Sequence, residues 1–329
     1  MLGRTRLPLR CLALLLLAAA FSTSTEAADP TPRVMRVGYL GMGSPASEIR
    51  EEPNFWKHLA PLGWIQGQNL VAVQVWAEGK VERLPGLVAQ LLEQKVDLII
   101  TGGTPAAIEA KKAATTIPIV LVAYDRDPVA SGVVDSLSRP GGNVTGMYSR
   151  QIDLVGKRME LLKETLPAIS RVAVIYDPSR PPARRDLEAA AKHLDVQLYP
   201  VELKEPQHVD RAFKSARAKA TAALVLFSPM FYAHRDQIAG AAARAHMPTM
   251  CQEREFVVAG AMMSFAPDRE EILKRVAYYV DRLLRGTRPA DLPFEEASKF
   301  KLTLNLKTAK ALGVEIPQTV LLRADEVIR

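Results

Sequence analysis

The sequence predicts an α/β protein in which the strands of parallel sheets alternate with amphipathic crossover helices. Three observations carry that prediction. Short β-rich runs recur between stretches of helical spacing almost throughout the chain. Two of these runs, 97–101 and 119–122, are apolar without alternation, as strands covered on both faces are. The series then breaks at Pro140-Gly141-Gly142 and starts again, which describes two similar lobes rather than one long sheet.

Taken in order, the chain opens with Arg4, Arg6 and Arg10, an apolar run over 12–21, and small residues at Thr25 and Ala27. That is the plan of a signal peptide over residues 1–27, too short for a stop-transfer helix. Thr5 splits Arg4 from Arg6, so there is no twin arginine, and no cysteine marks a lipid anchor at the cleavage point. The first strand is expected at 34–40 and the second at 69–76. Between 76 and the buried run at 97–101, Leu84, Leu87, Val88, Leu91 and Leu92 keep helical spacing. The second series begins with a helix marked by Ile152, Val155, Met159, Leu162 and Leu166. Strands at 171–176, 197–201, 222–227 and 248–251 follow, the first resembling 34–40 in texture. Ile272, Val276, Tyr279, Val280 and Leu283 mark a long amphipathic helix ended by Gly286 and Pro289. A short strand at 302–305 and a short helix at 307–312 close the chain.

Composition narrows the function. The net charge of +7 falls by two when the signal's three arginines and Glu26 leave, and no dense basic block remains, so nucleic acid is not expected as a partner. A small anionic ligand fits the sign of the charge. Of the two cysteines, Cys11 lies in the signal, so Cys251 is left as a buried thiol with no disulfide to make. An exported chain also works without cytoplasmic ATP or NAD pools.

In open parallel sheets, ligands sit beyond the carboxyl ends of the strands, so those loops hold the candidate site. Thr101-Gly102-Gly103-Thr104-Pro105 follows a buried strand. Its glycines allow close backbone approach, Thr104 can cap the next helix, and Pro105 suits the first helical position. Exposed amides there would receive a carboxylate at Gly103 and Thr104. A turn that needs glycine for geometry alone is the other reading. Gly41-Met42-Gly43-Ser44-Pro45-Ala46 imitates a dinucleotide fingerprint but lacks the acid about 20 residues on, so Met42 and Ser44 are read as one wall of a small-molecule cleft. Tyr124 and Asp125 follow the fourth strand, where Asp125 can pair a ligand ammonium and Tyr124 can cover an apolar group; a turn aspartate before Pro128 is equally consistent. In the second series the equivalent positions are Asp177 and Ser179, then Ser228, Met230 and Phe231, then Glu253. Enzyme constellations are missing. There is no G-x-S-x-G, Ser298-Lys299-Phe300-Lys301 lies at a loop–strand junction, and the five histidines show no metal-ligand spacing. Neither catalysis, a cofactor nor a metal is expected.

Several runs carry a family likeness. Residues 101–107, Thr116-Ile117-Pro118-Ile119-Val120, Asp127-Pro128-Val129, the Arg139-Pro140-Gly141-Gly142-Asn143-Val144-Thr145-Gly146 run, Arg254-Glu255-Phe256-Val257 and the close over 305–313 and 323–328 resemble the tryptophan/tyrosine-type substrate-binding proteins of ABC importers. The likeness spans essentially the whole mature chain. It implies a type I periplasmic-binding-protein fold: two Rossmann-like lobes with parallel sheets, joined by three hinge crossings, with ligand between them. By that analogy lobe 1 comprises 28–149 and 266–292, and lobe 2 comprises 150–265 and 293–329, with the last crossing near 292–297. The chain departs from the family at Asp177-Pro178-Ser179-Arg180-Pro181-Pro182, where members carry an asparagine-rich loop, and at Pro53 and Pro61, which shorten or kink the first helix. Both places touch the cleft, so the likeness does not carry over an aromatic amino acid as ligand. The expected protein is a monomer in the periplasm that binds a small organic solute, amino-acid-like or a carboxylate, and delivers it to an inner-membrane ABC permease. A binding protein feeding a sensor receptor is the alternative, and an exported α/β hydrolase is a third reading that lacks its nucleophile motif.

Overall fold

The computed structural model describes residues 33–43, 52–124, 127–149, 154–182 and 184–329. The expected signal peptide with Cys11, and the site candidates Ser44 and Asp125, lie outside the described residues.

The first series builds a six-stranded sheet. Its elements are β1 (Met35–Gly41), α1 (Glu52–Leu59), β2 (Leu70–Trp76), α2 (Leu84–Glu93), β3 (Leu98–Thr101), α3 (Thr104–Ala113), β4 (Ile119–Tyr124) and β5 (Val144–Tyr148). Period-two alternation sends each strand's side chains to two cores. Ile99 and Leu121 pack with α2 and α3, while Leu98, Ile100 and Val120 pack on the opposite face. All four β3 residues are buried, which is why that run shows no polar alternation. Burying side chains of this size contributes about 1.5–3 kcal/mol each. Pro53 stands in the first turn of α1 and Pro61 in the 3-10 turn after it, so the helix is short, as the prolines predict.

The second series repeats the scheme with α4 (Val155–Thr165), β6 (Arg171–Tyr176), α5 (Arg184–His193), β7 (Gln197–Glu202), α6 (Val209–Lys219), β8 (Ala222–Val225), α7 (Pro229–Ala233), α8 (Arg235–Arg244), β9 (Thr249–Cys251), α9 (Arg254–Val258) and β10 (Met263–Pro267). Val172 and Val174 face one core of this sheet, and Ala173 and Ile175 the other. The chain then enters α10 (Arg269–Leu284), whose apolar stripe Ile272, Val276, Tyr279 and Val280 packs back on the first sheet. Asp268 caps that helix, its carboxylate accepting from the Glu270 and Glu271 amides. β11 (Glu295–Glu296), β12 (Phe300–Asn305), α11 (Leu306–Ala311), α12 (Gln318–Leu321) and β13 (Glu326–Ile328) complete the order.

The sheets run β11-β5-β4-β3-β1-β2 and β13-β12-β10-β9-β8-β6-β7. Among their pairs, β10 with β12 is antiparallel and the rest are parallel. The chain crosses from one sheet to the other after β5, after β10 and after β11, each time from a strand's carboxyl end. The crossings are fastened to one another: the Ala297 amide donates to the Tyr148 carbonyl at 2.8 Å, and the Asp268 amide to the Lys299 carbonyl at 2.8 Å. Short connections leaving from carboxyl ends make the carboxyl edges of the two sheets face each other.

Three features depart from the sequence reading. The stretch that follows the break at Pro140-Gly141-Gly142 forms another strand of the first sheet, β5, fully buried despite its central glycine. β10 and the two-residue β11 are also strands that periodicity did not mark. By sheet membership the second unit continues to Pro267, and the first continues to Glu296, each a few residues past the expected boundaries. No described helix is long and apolar enough to cross a membrane.

Candidate functional site

The crevice between the facing carboxyl edges is where this topology collects loops from both sheets. On the six-stranded side, β1 and β3 are tied at their ends by the buried Thr101 hydroxyl, which donates to the Leu40 carbonyl at 3.3 Å. The chain then turns through Gly103, whose φ of 82° and ψ of 148° suit a residue without Cβ. Gly103 is the N-cap of α3, Thr104 its first residue, and Pro105 lies in the first turn. This corrects the expected frame by one residue, since Thr104 was read as the cap. A glycine cap has no side chain to offer the first-turn amides. Met42, buried at the end of β1, stands beside this turn: its Cγ is 3.5 Å from where a Gly103 Cβ would project. Met42 therefore adjoins the turn at Gly103 that opens into Thr104.

Tyr124 ends β4 and pairs with Tyr148 of β5. Between Leu121 and Tyr124 the register slips by a bulge, placing an extra residue in β4 just before the loop. Gly146 makes the pairing possible: a Cβ there would lie 2.3 Å from the Leu121 carbonyl oxygen. At the adjoining crossing, the Tyr148 hydroxyl donates to Glu296 Oε2 at 3.1 Å.

On the seven-stranded side the expected residues divide. Asp177 and Ser179 meet each other, with the Ser179 amide and hydroxyl donating to Asp177 Oδ1 at 2.9 and 2.7 Å. Ser228 is fully buried and caps α7, its hydroxyl accepting from the Phe231 amide at 3.1 Å. The Phe231 ring is 0% exposed within the core against α6 and α8, so its part in a crevice wall is corrected to a packing one. Met230 is partly buried against the same core. Glu253 follows β9 and faces the buried guanidinium of Arg158 on α4.

Arg158 is a residue the sequence reading passed over. It is 0% exposed, donates through Nε to the Phe265 carbonyl at 2.8 Å, and has its pKa lowered by burial to about 10, against the opposing pull of Glu253 and then Cys251. It remains a cation at neutral pH, and the Glu253 charge acts on it. Burial pushes the Cys251 thiol up to about 12, making it a packing group. Arg180 was also missed as a site residue. Its Cζ lies 5.8 Å from the centroid of the Phe227 ring, and burial lowers its pKa. An arginine on a helical stripe of apolar residues, or one beside two prolines, carries no pattern that separates it from a solvated one.

A cavity of about 460 Å3 lies at the β10–α10 crossing, lined by Glu253, Arg254, Asp268, Arg269 and Lys301 among others. Ion pairs hold much of its wall: Arg254 grips Glu326 through two bonds of 2.6 Å, and Lys301 meets Asp268 at 3.0 Å. Among the described residues no cluster of His, Cys, Asp and Glu has the makings of a metal site.

Two mostly parallel sheets joined by three crossings define a two-lobed binding protein of the type I periplasmic-binding-protein class. Residues 53–328 match the model of the ABC transporter substrate binding protein family, and the chain belongs to that family. It is thus a solute-binding protein and not an enzyme. It is 25% identical over 279 residues to a tyrosine-binding protein of Clostridioides difficile (strain R20291), covering 82% of this chain and 80% of that one. A conserved domain protein from Vibrio cholerae superposes with a TM-score of 0.81 at 26% identity, over 90% of this chain and 100% of the other. The ABC domain from Streptococcus pneumonia in complex with L-Trp gives a TM-score of 0.80 at 23% identity, over 89% and 99%, a likeness of fold.

Proposed function

We propose that the chain is exported to the periplasm, captures a small organic solute bearing a carboxylate in the crevice between its two sheets, and delivers it to an inner-membrane ABC permease. The observation that carries this reading is the glycine-capped start of α3. The helix begins at the carboxyl end of β3, and Gly103 offers no side-chain oxygen to its first turn. Amides at a helix start, with the positive end of the helix dipole behind them, favour an anion. The tyrosine-binding relative and the L-Trp complex are of proteins whose named ligands carry a carboxylate, which supports the same reading. The N-terminal segment 1–27 supports export, and family membership supports the permease as recipient.

A thermal-shift panel of amino acids, carboxylates and purines tests the binding step. A cognate solute at about 100 times its dissociation constant adds roughly 2.7 kcal/mol and raises the melting temperature accordingly. A panel in which nothing stabilises the protein, while a chromogenic ester is readily turned over, would overturn the reading. Delivery predicts solute-dependent stimulation of ATP hydrolysis when the protein is added to its permease in liposomes.

A further inference from the structure

The seven-stranded sheet carries a second cavity, of about 580 Å3, under α5. Its floor follows from the strand period of two. Val174 and Tyr176 point to one face of β6, and Leu198 and Pro200 to the same face of β7 beside it. Its roof is one stripe of α5. Leu187 and Ala191 are buried there, while Arg184, Glu188 and Lys192 recur every fourth residue along the exposed border. From Arg184 to Lys192 the stripe runs about 12 Å. Pro181 stands at the carboxyl end of β6, and Val196 just before the start of β7, so the cavity extends down the sheet's face to its amino end. The crevice lies beyond the carboxyl ends instead. β7 is the last strand in its sheet, so no further strand closes the groove.

A mostly aliphatic lining of this volume suits a small apolar molecule with one or two polar contacts. The polar groups sit on the border. Among the described residues, neither Arg184 nor Lys192 makes a hydrogen bond or an ion pair. Glu188 lies one turn from each, so two cations and one acid leave the border positive. The Tyr176 hydroxyl donates to Glu202 Oε1 at 3.1 Å, and the Arg184 charge bears on the same phenol. Arg184 therefore marks one end of the groove, with five N–H donors for an anionic head. A peptide strand is the poorer occupant, because Pro200 interrupts the donors of the β7 edge.

We propose that this groove is a second binding site, separate from the crevice, for a medium-chain fatty acid: its alkyl chain lies along Val174, Leu187, Ala191 and Leu198, and its carboxylate meets the Arg184 guanidinium.

Calorimetric titration of the native protein with hexanoate, octanoate and decanoate, below their micelle-forming concentrations, tests this. Decanol and decyltrimethylammonium serve as the neutral and cationic comparisons. Decanoate binds, and affinity rises along the series by up to roughly fourfold per methylene. Decanol binds more weakly and decyltrimethylammonium more weakly still. Arg184→Gln lowers decanoate affinity roughly tenfold, the lower end for a hydrogen bond to a charged group at an exposed position, and leaves decanol unchanged. Leu198→Glu puts a charge in the floor and abolishes binding of both. Lys214→Gln, exposed on α6, changes neither and shows that net charge is not the cause. Ligand-free melting temperatures of Arg184→Gln and the native protein should agree; if Leu198→Glu does not fold, Arg184→Gln decides alone. Absence of decanoate binding overturns the proposal, as does affinity that ignores chain length. Native decanoate affinity in Arg184→Gln places the head elsewhere and also overturns it. So does binding to phosphatidylglycerol vesicles without binding of decanoate, which would make the groove a membrane contact. The crevice reading is tested by its own solute panel and stands or falls separately.

Discussion

Arg158 shows how one side chain can organise a strand edge. It rises from α4 into a fully buried position, donates to the Phe265 carbonyl of β10 and faces Glu253 after β9. Taking charges out of water costs several kcal/mol, and the pair is tolerable because each partner meets the other's charge. Removing Arg158 leaves the Phe265 carbonyl without its donor and the half-buried Glu253 without its facing charge. Arg158→Met should therefore lower stability by about 1–3 kcal/mol in urea unfolding, beyond the effect of replacing an exposed arginine such as Arg185. A loss below about 1 kcal/mol would show that Glu253 finds its compensation elsewhere. The neighbouring Cys251 gives a second residue-scale prediction. A thiol whose pKa burial raises to about 12 is almost wholly protonated at neutral pH. Peptide mapping after iodoacetamide treatment should find Cys251 unmodified in the native protein and fully alkylated in urea.

At the scale of the element, the start of α3 depends on one backbone conformation. Among the described residues only Met42 stands within contact range of a Cβ at Gly103, at an ordinary 3.5 Å, so a small side chain there meets no clash with them. The positive φ of 82° is what a side chain opposes. Gly103→Ala should cost about 1–3 kcal/mol of stability and weaken carboxylate binding, because the first-turn amides shift when the strain relaxes. Unchanged affinity in the folded variant would remove the α3 start from the site. The β11 strap obeys electrostatics instead. Arg275 on α10 holds the Glu295 carboxylate with one bond of 2.8 Å and a second, shorter one, and this hydrogen bonding is the main cause that keeps the Glu295 pKa below its usual range. A depressed folded-state pKa stabilises at pH values above the unfolded carboxylate's and is lost as pH falls through the folded value. The pair is about one-third exposed, so its contribution is about 0.5–1 kcal/mol. Thermal melts of the native protein and Glu295→Gln should differ near neutrality and converge in acid, once the pH has fallen through the depressed Glu295 pKa.

For the whole molecule, the three crossings are the mechanical question. Each connects a strand's carboxyl end to the other unit, and they are bonded to one another at Tyr148 with Ala297 and at Asp268 with Lys299. A ligand drives closure only through contacts it makes in the closed form and lacks in the open one. A solute gripped by both units, as proposed above, should shrink the radius of gyration measured by small-angle scattering. Tight binding with an unchanged radius would argue against hinge closure in this chain.

The sequence by itself determined the α/β class, most of the strand and helix positions, and the family, because period-two and period-3.6 burial and glycine-proline punctuation are local properties written along the chain. It also located the glycine turn at 102–103 and the loops that would face a ligand, since those follow from where strands end. The tertiary structure decided what the side chains of those loops meet. Ser228 proved to be a helix cap, Phe231 a core residue and Glu253 the partner of a buried arginine. Arg180 was placed on Phe227 across a gap of forty-odd residues. Pairings of that kind depend on strand order, here β8 lying beside β6, which no local pattern encodes. The same holds for β11, two glutamates long, which is a strand only because β5 and Arg275 are there to receive it.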